Sequence, residues 1–133
     1  MQVEPYLYFD GRCEEAVEFY RCAAGAHVTA LVRFKDAPGS GAPPGAENKV
    51  MHASLRMGTS TVLASDGQCR GNPNFQGFSL ALTAASSSEA ERLFAALADG
   101  GRVQVPLTST PFAARFGMAA DRFGVLWTVT AHE

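Results

Sequence analysis

His52, Ser54 and Arg56 alternate with Ala53, Leu55 and Met57 in the run Val50–Met57, the period-two pattern of a strand with one polar face. Imidazole changes charge near neutral pH, so His52 is the leading candidate for proton transfer or a ligand hydrogen bond. Tyr6 and Tyr8 alternate with Leu7 and Phe9. Phenols combine apolar area with a polar tip, which suits a ligand wall. Arg115 has the fork geometry to hold an anion such as a carboxylate or phosphonate. Ser65, Ser79 and Thr128 add neutral hydroxyls, and no base stands beside any serine to activate it, so a hydrolase triad finds no support. Leu126, Thr128 and Thr130 share one face of the last strand, opposite Val125, Trp127 and Val129.

The elements that must position these residues repeat along the chain. Tyr6–Phe9 is a β-rich run ended by Asp10-Gly11. Glu14 and Glu15 suit the first turn of a helix, and Ala16, Phe19, Tyr20 and Ala23 give it an apolar stripe up to a Gly25 stop. His27–Phe34 returns to strand character. The plan recurs after residue 77. Phe78, Leu80 and Leu82 alternate as a strand packed under a helix, Ser86 and Glu89 form a capping box, and Ala90, Leu93, Phe94 and Leu97 make the helical stripe. Gly100-Gly101 ends that helix and Arg102–Leu107 is a strand. Glu15-Ala16 and Tyr20 match Glu89-Ala90 and Phe94 at an offset of 74 residues. Two more strands close each half: Val50–Met57 and Thr61–Asp66, then about Pro111–Ala119 and Val125–Ala131. Two stretches, Asp36–Lys49 and Gly67–Gln76, read as exposed loops.

This predicts an α+β chain of two βαβββ modules, about 1–70 and 75–133, within one domain spanning 1–133. Placed edge to edge, the modules would form a curved mixed sheet with helices outside and a groove inside. With 47% hydrophobic and 18% charged residues the composition is that of a soluble globular protein, and a net charge of −2 gives no bulk attraction for nucleic acid or anionic membrane. No apolar run approaches the ~20 residues of a membrane span, and the opening MQVEPYLYFD lacks the features of a signal peptide. Cys13, Cys22 and Cys69 show no metal or redox spacing and fit free thiols in a reducing cytoplasm.

The paired βαβββ plan resembles the vicinal oxygen chelate superfamily of glyoxalase I, extradiol dioxygenases, fosfomycin resistance enzymes and bleomycin-binding proteins. The segments PYLYFDGRCEEAVEFY, HASLRMGTSTVLASDG and PFAARFGMAADRFGVLW are most similar to its PhnB-like branch. Enzymes of the superfamily hold one divalent metal with His and carboxylate side chains from four groove strands. The resemblance places those positions at Glu4 or Pro5, Ala64 or Ser65, Gly77 or Phe78, and Thr128. Only Glu4 is a ligand type there, which implies a protein without that metal or another cofactor, binding an unknown small molecule in the groove. Tyr6, Tyr8, His52, Ser54, Ser65, Ser79, Arg115, Leu126 and Thr128 are the expected ligand contacts. The alternative is a metal-dependent lyase or dioxygenase-type enzyme with a relocated site using Glu4 and His52. A third reading is a metal-free enzyme with His52 as general base. The resemblance also implies a homodimer.

Overall fold

The computed structural model describes residues 1–39 and 41–133; Ser40, inside the expected 36–49 loop, lies outside the described residues. The chain divides into two compact units, Met1–Pro73 and Asn74–Glu133. The first contains β1 (Tyr6–Tyr8), α1 (Cys13–Ala24), β2 (His27–Arg33), β3 (Val50–Met57) and β4 (Ser60–Ser65). The second contains β5 (Leu80–Ala84), α2 (Ser87–Ala98), β6 (Arg102–Thr110), β7 (Ala113–Ala120) and β8 (Leu126–Ala131).

Each unit is a four-stranded mixed sheet carrying one helix, with strand orders β1-β4-β3-β2 and β5-β8-β7-β6. The first strand of each sheet runs parallel to the last, and the remaining pairs are antiparallel. Both helices are 12 residues long and start 74 residues apart, the offset read from the sequence repeat.

Alternation along the strands decides what lies under each helix. In the first unit Leu7, Ala53, Leu55, Val62 and Ala64 are buried, and α1 covers them with Cys13, Ala16, Val17, Tyr20 and Ala23. Phe19, expected in that stripe, is only half-buried, and Val17 and Cys13 take its share of the face. In the second unit Ala90, Leu93, Phe94 and Leu97 line α2 as the sequence predicts, above Ala113, Ala119, Trp127, Val129 and Ala131. Gly117 of β7 is glycine because a Cβ there would come within 2.9 Å of the Leu107 backbone and 3.0 Å of the Phe94 ring.

Two boundaries differ notably from expectation. β5 begins at Leu80, and Phe78, expected under the helix, is exposed because the alternation is counted from a residue ahead of the first ladder pair. β6 runs on to Thr110, through register shifts against β7 that a period count does not anticipate. The two loops are tied down rather than loose. The Phe34 N–H donates to the Lys49 carbonyl and the Lys35 N–H to the Glu47 carbonyl across the 36–49 segment. The Asp10 carboxylate accepts from the backbone N–H groups of Arg70 (2.5 Å) and Asn72 (2.8 Å). No helix among the described residues is long and apolar enough to cross a membrane.

Candidate functional site

The face of each sheet away from its helix holds the candidate residues. In the first unit Tyr6 pairs in register with Leu63 and Tyr8 with Ser65 on β4, and Leu63 pairs onward with Ser54 on β3. Cα partners point to the same face, so Tyr6, Tyr8, Leu63, Ser65 and Ser54 share it. His52 lies two residues from Ser54 and joins them.

Tyr6 and His52 sit on strands separated by β4, roughly 9.5 Å apart at the usual strand spacing. Their side chains nevertheless meet over it, with Tyr6 Oη 2.7 Å from His52 Nδ1. The rings approach edge-on at 5.6 Å, while Tyr6 and Tyr8 stack in parallel, centroids 4.9 Å apart and planes within 2°. The tyrosines stay accessible, at 37% and 54% exposure. Burial first, and the neighbouring Tyr8 next, hold the Tyr6 phenol above its ordinary pKa, so it is a neutral hydroxyl at physiological pH. When that hydroxyl donates to Nδ1, the imidazole carries its proton on Nε2 and presents an N–H donor outward.

Ser65 is buried, one residue beyond the Ala53–Ala64 pair, and its Oγ accepts the Gly67 N–H at 3.0 Å. Its hydroxyl therefore shapes the turn after β4. Ser54 is half-buried on the shared face, and its carbonyl accepts from Thr29 Oγ1. Arg56, the next residue on that face, was not among the expected contacts; it is exposed, and among the described residues no hydrogen bond or ion pair engages it.

In the second unit Ser79 Oγ and Thr128 Oγ1 lie 2.9 Å apart, and Thr130 donates to Thr83 at 3.5 Å. Leu126 is half-buried on the same face. Arg115 is elsewhere. It pairs in register with the buried Ala131, on the helix side, and its Nε reaches Glu91 Oε1 on α2 at 3.2 Å. The structure thus brings together Tyr6, Tyr8, His52, Ser54 and Ser65 in one unit and Ser79, Leu126 and Thr128 in the other, and Arg115 joins neither set.

The metal implied by the resemblance does not fit these residues. Glu4, Ser65, Gly77 and Thr128 offer one carboxylate and two hydroxyls, the latter already bonded to Gly67 N and Ser79 Oγ. Of the relocated pair, the Glu4 carboxylate accepts from Gln2 and His52 Nδ1 meets the Tyr6 hydroxyl. Among the described residues no three His, Cys, Asp or Glu side chains gather closely enough to ligate an ion.

Two buried carboxylates act as anchors. The buried Asp66 carboxylate accepts from the Cys13 and Val50 backbone N–H groups, each at 2.7 Å. Asp121, also buried, accepts from Phe123 N, Val125 N and the Trp127 indole N–H. A cavity of about 410 Å³ lies beside the start of α1, bounded also by Asn48, Lys49 and Asp66. Its charged groups are engaged, Arg12 with Glu15, Glu14 with Arg33, Lys49 with the Gly11 carbonyl and Asp66 with backbone N–H groups.

Comparison with known proteins places this geometry. The profile of the family described as 3-demethylubiquinone-9 3-methyltransferase matches residues 1–130. The chain is 43% identical to protein PA1353 of Pseudomonas aeruginosa, covering 99% of this chain and 98% of that one with a TM-score of 0.88. It is 30% identical to the PhnB protein of Bacillus cereus over 98% and 99% of the two chains, TM-score 0.82. Protein YjdN of Escherichia coli K12 is 32% identical, covering 97% of this chain and 94% of that protein. At 13% identity, a glyoxylase/bleomycin resistance protein/dioxygenase domain from Frankia sp. EAN1pec shares the fold alone, TM-score 0.66 over 100% of this chain and 93% of that one.

Proposed function

The chain belongs to the PhnB-like, glyoxalase-fold family described as 3-demethylubiquinone-9 3-methyltransferase, and from that premise we propose that it binds a small organic molecule on the helix-free face of its first sheet. Tyr6, Tyr8 and His52 are the contacts. The observation that carries this reading is the Tyr6–His52 bond, 2.7 Å, made across an intervening strand. Sheet pairing needs no such bridge. Two long side chains held over the face keep a donor and an aromatic surface fixed and accessible, which lowers the ordering cost of binding. The methyl transfer in the family's description plays no part in the proposal; the junctions before α1 and α2, Asp10-Gly11-Arg12 and Ala85-Ser86, carry no glycine-rich nucleotide loop.

The test is a thermal-shift screen of a small-molecule library against wild type and Tyr6→Phe. Compounds that raise the wild-type melting temperature and lose most of that rise in Tyr6→Phe support the site. A flat response across the library sinks it. In the other tautomer, with Nδ1–H donating to the Tyr6 oxygen, Nε2 is open to take a proton, and the bond then supports a second reading, a metal-free proton transfer with His52 as base, recognised by a pH–rate limb that disappears in His52→Ala. The protein is proposed to act as a cytoplasmic homodimer, with Cys13, Cys22 and Cys69 as free thiols. Sedimentation as a monomer at micromolar concentration would refute the dimer.

A further inference from the structure

Resting on that binding face, we propose that its ligand is an organic carboxylate whose charged end pairs with Arg56 and whose other end meets Tyr6 and His52. From Ala53 to Met57 the β3–β4 register is unbroken, so His52, Ser54 and Arg56 project on one side at every second residue. At about 3.3 Å per residue the His52 and Arg56 Cα atoms are ~13 Å apart. Side-chain length at both ends shortens that interval to a ligand span of roughly 6–10 Å.

The charge arrangement selects the ligand's sign. In this unit Arg12, Arg21 and Arg33 are paired with Glu15, Glu18 and Glu14. The Asp10 and Asp66 carboxylates are taken up by backbone N–H groups. Arg56 has, among the described residues, no carboxylate and no hydrogen bond. Its register partners are Thr61 on β4 and His27 on β2, no residue that shares the face by register carries a carboxylate, and the Glu4 carboxylate, two residues ahead of Tyr6, accepts from Gln2.

Hydrogen-bond polarity points the same way. A guanidinium has five donors and no acceptor, and His52 turns an Nε2–H donor outward when Tyr6 donates to Nδ1. A face with donors at both ends suits a ligand with acceptors at both ends. The planar fork of Arg56 suits a carboxylate in particular, since two parallel N–H···O bonds can form.

The experiment measures dissociation constants by NMR titration, following the Tyr6 and His52 ring resonances. The probes are para-hydroxybenzoate, para-hydroxyphenylacetate and para-hydroxycinnamate, each beside its primary amide. Wild type is expected to bind at least one acid about fivefold more tightly than its amide, and Arg56→Gln to bind both alike. Arg56 is exposed, so the variant is expected to melt with wild type. Equal affinity of acid and amide in wild type, with both weakened in Tyr6→Phe, would leave the binding face standing and overturn the charge inference. No shift at Tyr6 or His52 with any probe would overturn both.

Discussion

The helix-free faces of the two sheets invite comparison because strand order, helix length and helix offset repeat from one module to the next. In the second module the polar contact is Ser79 with Thr128, a residue just ahead of β5 and one on the adjacent β8. Short hydroxyls meeting across neighbouring strands are ordinary sheet pairing. In the first module a phenol and an imidazole meet over a strand that neither belongs to. Strand pairing alone does not produce that contact.

The same contrast appears at the helix starts and gives the largest expected effect. Ser86 caps α2 locally, its Oγ accepting the Glu89 N–H at 3.2 Å. Arg12, at the matching place before α1, makes no side-chain cap, and the Cys13 N–H goes instead to Asp66, 53 residues away. That carboxylate also holds Val50 N at the start of β3, so one buried anion satisfies an orphan helix donor and fastens helix to sheet. Asp66→Ala strands two buried N–H groups and is expected to cost about 3–5 kcal/mol in urea unfolding. Ser86→Ala removes only a local cap and is expected to cost about 1 kcal/mol. Equal losses would erase the distinction.

Smaller effects test the faces themselves. Tyr6→Phe removes one partly exposed hydrogen bond and is expected to cost under about 1 kcal/mol while abolishing most ligand response. Ser79→Ala, on the second face, is expected to leave both stability and ligand response near wild type. A loss of binding in Ser79→Ala equal to that in Tyr6→Phe would mean the hydroxyl pair belongs to the site as well.

Much of this was legible before any coordinates. The repeat, both helices, the Ser86 cap and the polar face of Val50–Met57 follow from short-range periods and capping chemistry. The Tyr6–His52 bond was not legible, though each residue stood out, because it depends on β4 lying between β1 and β3. The Asp66 anchor was not legible for the same reason: its partners are 53 and 16 residues away. Arg115 was misleading because it shares the helix side of β7 with Ala113, Gly117 and Ala119, residues too small to give a clear apolar alternation.

The smallest effect comes from the ion pairs joining helix to sheet. Arg33 of β2 grips Glu14 of α1 with both Nη atoms, at 3.1 and 2.7 Å, and also donates to the Asn48 carbonyl. Its counterpart, Arg115 of β7 to Glu91 of α2, rests on one contact of 3.2 Å. The hydrogen bond from Arg33 is the main reason the Glu14 carboxyl is held below the usual carboxylate pKa. A depressed folded-state pKa gives stability that is present above the unfolded value, near 4.3 for glutamate, and lost as pH falls through the folded one. Glu14→Gln is therefore expected to destabilise slightly at pH 7 and to converge on wild type in acid, with the gap shrinking in high salt because both side chains reach solvent. Glu91→Gln, losing a single longer contact, is expected to cost less at every pH. Should Glu91→Gln cost more, the bidentate grip in the first module would not be what distinguishes how the two helices are held.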